Sequence, residues 1–363
     1  MRNDLGDESE TTSPLQSYLE LLRLPNVFTA VADVAMGFFF VQAAWAFSDD
    51  PQQSLLPINL WNIGRLLGLE GLLVGKSLLP IGLWAIGLLA AASALLYSAG
   101  MVLNDVFDIE LDREEQPDRP LPSGRIPLSS ARWLGWQLLT LGIMLASGTA
   151  VMLGKFQPAR TDSFVIAWLP AIVAAALALF IVLYNAGLKR TPLGPVAMGG
   201  CRMFNVLLGM SVLREPWRIE HWAVAAGIGV YIAGVTWLAR NDARRSDRWQ
   251  LIAATLVMLA GVGMVGALPW LTDKLWMLHQ PPTELWRWHT IIALLAGFVL
   301  LRCGSAIAQP SPGPVRAAVR RSITALIFLD AAACYAGAGP SYAILVAVLV
   351  IPTTIVGRWV RGG

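Results

Sequence analysis

Apolar segments of about 20 residues recur along nearly the whole chain, and this repetition restricts the fold more than any other feature. A helix of that length crosses the roughly 30 Å hydrocarbon core of a bilayer. We predict ten spans, at residues 24–46, 78–103, 131–153, 164–186, 195–213, 222–240, 250–271, 287–304, 321–338 and 341–357. The last two are separated only by Gly339-Pro340, so they form either a hairpin or one broken helix, and the count is nine or ten.

The composition fits lipid rather than water around these segments. Of the 363 residues, 56% are hydrophobic and only 14% are charged, and the mean hydropathy is +0.58. A soluble domain carries about 25% charged residues. Backbone groups in lipid must be hydrogen-bonded within the protein, and the runs lack the alternation and short length of barrel strands. The chain is therefore predicted to be an all-α integral membrane protein.

The first 20 residues differ from the rest of the chain because they are polar and acidic. A cleavable signal peptide would begin with basic residues and continue with an apolar stretch. We therefore predict a polar N-terminal tail over residues 1–20 and one transmembrane domain over residues 21–358.

Basic residues are distributed unevenly between the two sides of the predicted spans. With the N-terminus in the cytoplasm, 18 of the 27 Lys and Arg residues fall on the cytoplasmic side, 8 fall on the opposite side, and Arg202 falls within a span. Cytoplasmic loops of membrane proteins carry an excess of Lys and Arg. We therefore predict a multi-pass protein of the cell inner (plasma) membrane with a cytoplasmic N-terminus.

An acidic cluster follows the second predicted span. Asn104, Asp108 and Asp112 are spaced four residues apart, so they share one face of a helix, and Asp105 lies beside that face. Like charges at this spacing repel one another unless a cation lies between them, and carboxylate oxygens are suitable ligands for Mg²⁺. The alternative is a solvated acidic helix end that binds nothing.

The segment that comes next favours a ligand site. It reads Asp118-Arg119-Pro120-Leu121-Pro122-Ser123-Gly124-Arg125, which predicts a rigid, proline-rich loop with two arginines beside the carboxylates. Arginines next to a metal-binding acidic cluster are what a diphosphate group requires.

Residues 104–126, with the pattern Asn-Asp-x-x-Asp-x-x-x-Asp followed by Asp-Arg-Pro-Leu-Pro-Ser-Gly, resemble the first aspartate-rich motif of the UbiA prenyltransferase superfamily. Leu24-Pro25-Asn26 is similar to the opening helix of that family, and residues 184–191 are similar to its basic segment after the fourth span. The resemblance covers residues 20–358, which is most of the chain.

The resemblance implies a bundle of nine or ten membrane helices around a central cavity, and a Mg²⁺-dependent prenyltransferase activity at the cytoplasmic face. In such enzymes a prenyl diphosphate ionises to an allylic cation, which an aromatic or other lipophilic acceptor captures in a water-poor cavity. The expected partners are this donor, the acceptor and the bilayer, with no nucleic acid. Metal binding and catalysis are implied for Asp105, Asp108 and Asp112. Substrate contacts are implied for Asn26, Asn104, Arg119, Lys189 and Arg190.

The sequence departs from the family pattern after the sixth span, where two aspartates four residues apart are expected. Asp242 is present, but Ser246 stands four residues later, and Asp247 would lie about 140° around a helix from Asp242. In one interpretation Asp242, Arg244 and Arg245 contact the diphosphate in place of a second metal, and prenyl transfer is retained. In the other, the protein is a non-catalytic component that binds or exports an isoprenoid or lipid.

A further segment narrows the resemblance to one branch of the superfamily. Residues 199–209 read Gly-Gly-Cys-Arg-Met-Phe-Asn-Val-Leu-Leu-Gly, and together with the altered second motif they resemble the EboC-type subgroup. Both interpretations of the second motif, retained prenyl transfer and non-catalytic binding or export, apply to that subgroup.

Three ionisable residues, Asp33, Arg202 and Asp330, fall inside predicted spans. A charge at the bilayer centre costs at least about 2.5–3.5 kcal/mol, so each should face the bundle interior or a partner. Arg202 forms a structural ion pair with one of the aspartates, or it lines the acceptor side of the cavity together with Asn205. An ion-coupled transporter would also use Asp33 and Asp330, but the sequence lacks the inverted repeats typical of transporters.

Overall fold

The structure, a computed structural model, describes residues 14–46, 79–156, 164–213, 215–241 and 247–359. These residues form helices and connecting turns and contain no β-strand, which confirms the predicted all-α fold. The helices are α1 Pro14–Leu21, α2 Val27–Ala46, α3 Leu79–Phe107, α4 Ile109–Glu115, α5 Leu128–Phe156, α6 Phe164–Ala167, α7 Leu169–Ala186, α8 Gly194–Met210, α9 Ile219–Leu238, α10 Arg248–Gly266, α11 Leu268–Leu271, α12 Pro282–Ala308, α13 Pro312–Ala338, α14 Pro340–Ala347 and α15 Val350–Trp359.

Six of these helices (α3, α5, α7, α9, α10 and α12) are long and apolar enough to cross a membrane on their own. Two shorter apolar stretches, Val27–Val41 and Pro340–Val356, accompany them. The protein is therefore an integral membrane protein with several spans, as predicted. The count of nine or ten stays a prediction, because α8 has only 17 residues, α13 carries several charged residues, and both are outside the six.

Proline and glycine mark several helix boundaries. Helices α7, α8, α12, α13 and α14 have proline in their first two positions, where a missing N–H removes no helical hydrogen bond. Gly339 has a φ of 90° and separates α13 from α14. Glycine adopts this backbone angle without steric cost. The predicted interruption at Gly339-Pro340 is therefore confirmed.

The long helices pack side by side and close into a ring, in the order α2, α3, α5, α7, α8, α9, α10, α12, α13 and back to α2. Helix α2 also packs against α8 across this ring. The close approach of α2 and α8 depends on two glycines. A Cβ atom on Gly209 would collide with the carbonyl of Val34, and one on Gly37 would collide with the carbonyl of Val206. Small residues of this kind let membrane helices touch through their backbones, so polar residues of α8 lie directly against α2.

A separate apolar cluster holds the loop between α4 and α5. Its members come from α1, α3, α4, the loop itself and α5, and they are Leu21, Val102, Val106, Ile109, Leu121, Ile126 and Ala131. Gly124 has a φ of 78°, which lets the loop turn, and the Ile126 amide donates to the Pro120 carbonyl at 3.1 Å. The predicted proline-rich loop is therefore packed against the end of the bundle.

Candidate functional site

Four polar residues at the junction of α3 and α4 form the acidic side of the candidate site. Asp108 stands between the two helices, with a φ of −98° and a ψ of 8°. Helical hydrogen bonds continue through the junction, because the Asp108 amide donates to the Asn104 carbonyl at 3.0 Å. The Asp112 amide likewise donates to the Asp108 carbonyl at 2.8 Å. Asn104, Asp108 and Asp112 therefore keep the helical spacing predicted from the sequence.

Lys189 and Arg190 lie on one side of this acidic segment. Lys189 Nζ donates to Asp108 Oδ2 at 2.6 Å and to Asn104 Oδ1 at 3.0 Å. Arg190 donates to Asp108 Oδ1 at 3.1 Å, and its side chain is 64% exposed. Burial lowers the pKa of Lys189, and the contact with Asp108 opposes that change. A half-buried lysine held in this way can bind a phosphate oxygen as a point charge.

Arg119 and Arg23 bind the other two carboxylates. Arg119 pairs with Asp112 at 2.7 Å and lies 3.8 Å from Asp105, and Arg23 pairs with Asp105 at 2.9 Å. The side chains of Asp105 and Asp112 are only 5% and 7% exposed. The other loop arginine, Arg125, pairs with Glu20 at 3.2 Å instead. We call the following set the mouth cluster: Arg23, Asn104, Asp105, Asp108, Asp112, Arg119, Lys189 and Arg190.

Arg23 is a member of the site that the sequence did not identify, because a basic residue before an apolar span also fits a membrane anchor. It has a φ of 48° and a ψ of 46°, and among the residues that the structure describes it alone has a positive φ without being glycine. Such strained conformations cluster at functional sites. The feature of the sequence that could have pointed to Arg23 is Pro25, two positions later. A proline restricts the backbone of the residue before it and favours a turn at this point of the chain.

A cavity of about 290 Å³ lies beneath the mouth cluster. Arg23 and Asn104 belong to the cluster and also line the cavity, so the two share a boundary. The predicted substrate contacts Asn26, Arg202 and Asn205 line the same cavity. The other lining residues include Ser93, Tyr97, Gly100, Met101, Leu177, Ile181, Tyr184, Asn185, Met198, Cys201, Ile232, Val235 and Thr236.

The lining residues of α3 could have been identified from the sequence. Ser93, Tyr97, Gly100 and Asn104 are separated by four, three and four residues, so they form one stripe along a helix. The apolar surroundings conceal this stripe, because small and aromatic residues are also common in ordinary membrane spans. Asn104 was identified only through its neighbouring aspartates.

The far end of the cavity is held by a second charged group. Arg202 of α8 donates from Nη1 to Asp33 Oδ2 at 2.9 Å and from Nη2 to Thr29 Oγ1 at 2.8 Å. Asn205 donates to the same Asp33 oxygen at 2.9 Å. Asp330 of α13 contacts Asp33. We call Thr29, Asp33, Arg202, Asn205 and Asp330 the floor cluster. Arg202 forms the predicted ion pair and also lines the cavity, whereas its role toward an acceptor stays a prediction.

The altered second motif lies largely outside the described residues. The predicted substrate contacts Asp242, Arg244 and Arg245 fall there and stay predictions. Asp247 is the first residue described after the gap, and its carboxylate accepts a hydrogen bond from the Trp249 amide at 3.4 Å. It therefore acts as the N-cap of α10.

The predicted metal ligands are divided between two sets of cations. Asp105 and Asp112 face Arg119, whereas Asp108 binds Lys189. Within the described ranges, no three His, Cys, Asp or Glu side chains are gathered as a metal centre would require. The metal-binding role of Asp105, Asp108 and Asp112 therefore stays a prediction.

These features define a polytopic membrane protein whose helices surround a cavity with a charged entrance. The UbiA prenyltransferase family matches residues 66–311, and the chain belongs to that family. The family predicted from residues 104–126 is thereby confirmed, whereas the EboC-type subgroup stays a prediction.

Several relatives are digeranylgeranylglyceryl phosphate synthases. The protein of that name from Sulfurisphaera tokodaii is 32% identical over 132 residues, which cover 36% of this chain and 35% of the relative. The one from Saccharolobus solfataricus is 29% identical over 177 residues, or 49% of this chain and 44% of the relative. The one from Methanococcoides burtonii is 38% identical over 98 residues, or 27% and 29%. The chain thus matches less than half the length of each of these relatives.

Two solved structures share the fold. One, from a study of digeranylgeranylglyceryl phosphate synthase in membranes, has a TM-score of 0.56 at 19% identity and covers 90% of this chain and 99% of its own. The other is a UbiA homologue from Archaeoglobus fulgidus bound to DMAPP and Mg²⁺, with a TM-score of 0.51 at 12% identity and coverages of 91% and 99%. They confirm the predicted UbiA-type helical bundle.

Proposed function

We propose that this protein is a membrane prenyltransferase, which moves an isoprenyl group from a prenyl diphosphate to a lipophilic acceptor. The observation that carries the proposal is the position of the mouth cluster over the 290 Å³ cavity. A prenyl diphosphate has a strongly anionic head and an apolar tail, and the site offers cations at the entrance and a largely apolar interior.

The cations of the mouth cluster would bind the diphosphate. Arg23, Arg119, Lys189 and Arg190 are each paired with a carboxylate. The oxygens of an incoming diphosphate compete for the same N–H donors, and charge-assisted hydrogen bonds of this type are strong. A leaving diphosphate carries about three negative charges, so fixed cations at this position stabilise the transition state. In the same way Arg244 and Arg245 would add to the site, with Asp242 beside them.

The acidic residues would hold a magnesium ion. Asp105, Asp108, Asp112 and Asn104 supply hard oxygen ligands, and Mg²⁺ usually takes one or two carboxylates together with water and substrate phosphates. Asp105 and Asp112 lie 3.8 and 2.7 Å from the same nitrogen, Nη1 of Arg119, so two carboxylates are available together. A bound magnesium ion would withdraw negative charge from the diphosphate oxygens. The likeness to a homologue bound to DMAPP and Mg²⁺ supports this assignment.

The cavity walls suit the chemistry that follows. In the transfer the allylic C–O bond breaks, the electron pair stays on the diphosphate, and the acceptor forms the new bond and releases a proton. Tyr97 and Tyr184 line the cavity, and aromatic faces attract a cation. Apolar residues such as Leu177 and Ile181 exclude water that would otherwise capture the cation.

The acceptor would lie deeper, against Asn26, Arg202 and Asn205. The relatives are named for a product, digeranylgeranylglyceryl phosphate, in which a glyceryl phosphate carries two geranylgeranyl groups. Geranylgeranylglyceryl phosphate is therefore the first acceptor to test, with aromatic acceptors after it. The excess of basic residues on this side of the spans supports a mouth cluster that faces the cytoplasm.

The test is a prenyl transfer assay on the full chain in detergent or nanodiscs. Geranylgeranyl diphosphate, Mg²⁺ and each acceptor are supplied, and diphosphate release and the prenylated product are measured. We expect product with at least one acceptor, and loss of product when a chelator removes the metal. Saturable donor binding without product across the acceptor panel would contradict the proposal and support the non-catalytic alternative.

A further inference from the structure

Asp330 is the most unusual polar residue in the part of the chain that the structure describes. Its side chain is 0% exposed within α13, and neither carboxyl oxygen accepts a hydrogen bond from a donor group in that part of the chain. Asp33 of α2 is also 0% exposed, and its Oδ1 is in the same situation. Buried polar atoms nearly always have a hydrogen-bond partner, and ionised carboxylates inside a membrane are costly. These three oxygens therefore need a physical explanation.

The two carboxyl groups interact with each other across the packed helices α2 and α13. The second oxygen of Asp33 is already bound by Arg202 and Asn205, so Oδ1 is the Asp33 oxygen that lacks a donor among the described residues. Two ionised carboxylates cannot bond to each other, since neither has a hydrogen to donate. A single proton between Asp33 Oδ1 and the Asp330 carboxyl removes this conflict.

The charge balance of the floor cluster leads to the same result. Arg202 supplies one positive charge, and the other titratable groups facing the pair, Tyr97 and Cys334, are ordinarily neutral. With both carboxyls ionised the buried cluster would carry one net negative charge. With one proton it is neutral, which is the state that a low-dielectric interior favours.

We propose that Asp33 and Asp330 bind one proton between them, so that the floor cluster holds Arg202 as a fixed cation without net charge. Its consequence for catalysis rests on the function proposed above. An allylic cation in the cavity would be trapped by a negative floor and repelled by a positive one, whereas a neutral floor leaves it free to meet the acceptor.

The first test is infrared spectroscopy of the full chain in D2O at neutral pH, which detects the C=O band of a protonated carboxylic acid. The wild-type spectrum should contain a band that is lost in both Asp330→Asn and Asp33→Asn, because in each variant the remaining carboxyl must ionise to balance Arg202. Glu220→Gln is the matched control, since Glu220 is buried but ion-paired with Arg218 at 2.7 Å. A band that survives in either single variant, or that is missing from the wild type, would overturn the proposal.

The second test is thermal unfolding of the single and double variants. Each single variant keeps one carboxylate for Arg202, so we expect its unfolding midpoint to fall by only about 2–4 °C. The double variant leaves Arg202 as an unpaired buried charge, so its loss should far exceed the sum of the two. Additive losses would overturn the proposal.

The shared proton can still be judged if the single variants do not fold or if the wild type is inactive. If both single variants fail to fold, the wild type labelled with ¹³C-aspartate must still show a protonated carboxyl signal at neutral pH, and its absence would reject the shared proton. If the wild type forms no prenylated product, the proposed function fails, while spectroscopy and unfolding still judge the proton site on their own.

Discussion

The mouth and floor clusters are both built around aspartate and arginine side chains, but they differ in their ratio of cations to carboxyls and in their exposure to solvent. At the mouth four cations face three carboxylates, and Arg190 is 64% exposed. At the floor two carboxyls share one cation, and both carboxyls are fully buried. A cluster with surplus cations and access to solvent can exchange its carboxylates for an incoming anion, whereas a buried cluster cannot give up a partner. We therefore expect the same residue types to bind a ligand at the mouth cluster and to fix the positions of α2 and α8 at the floor cluster.

The largest expected effect comes from removing two charges at the mouth. Asp108→Asn combined with Asp112→Asn should lower diphosphate release by at least about 1,000-fold, because both the metal and the cations lose their anionic partners. Release and product formation are measured at saturating acceptor. Glu110→Gln is the control, since Glu110 lies in the same segment with its side chain 80% exposed and paired with Arg113. An unchanged rate in the double variant would show that the mouth cluster is not catalytic.

Removal of an arginine should lower the free energy of unfolding much more at the floor cluster than at the mouth cluster. Arg202→Gln leaves Asp33 without its buried partner and should cost about 3–5 kcal/mol of unfolding free energy. Arg190→Gln removes an exposed pair and should cost less than about 1 kcal/mol. Unfolding of both variants in the same detergent provides the measurement. Similar losses at the two sites would remove the distinction between them.

A smaller effect is expected when a single mouth cation is removed. Lys189→Met deletes the donor to Asp108 and Asn104 and should lower kcat/KM for the prenyl diphosphate by about 100-fold, with stability nearly unchanged. Lys155→Met, at the opposite end of α5 and exposed, is the control. If KM for the acceptor rises instead, Lys189 belongs to the acceptor site and the division between mouth and floor is wrong.

The smallest expected effect concerns the contact that joins α2 to α8. Gly209→Ala places a Cβ atom against the Val34 carbonyl and should destabilise the protein by about 1–3 kcal/mol. It should raise KM for the acceptor more than KM for the donor, because Arg202 and Asn205 move with α8. Gly148→Ala on α5 meets no atom within 4 Å and serves as the control, with a gain of about 0.5–1 kcal/mol. Equal changes in both KM values would show that α8 positions the mouth as well.

The sequence predicted elements well wherever the signal was local. Apolar runs of sufficient length placed the spans, because crossing a bilayer requires length and hydrophobicity and little else. The acidic segment was found because Asn104, Asp105, Asp108 and Asp112 lie within nine residues of one another. Arg23 and Tyr97 were missed because each resembles a common feature of membrane helices, an interfacial anchor or a buried aromatic residue.

The sequence by itself determined a membrane helical bundle of the UbiA family and the segment that carries its charged motif. Only the tertiary structure decided which cation meets which carboxylate, since Arg23 and Asp105 are 82 positions apart and Arg202 and Asp33 are 169 apart. Local patterns specify helices and their faces, but they do not specify which faces meet. That choice depends on backbone approaches such as the one at Gly209, which become visible only when the ring of helices is closed.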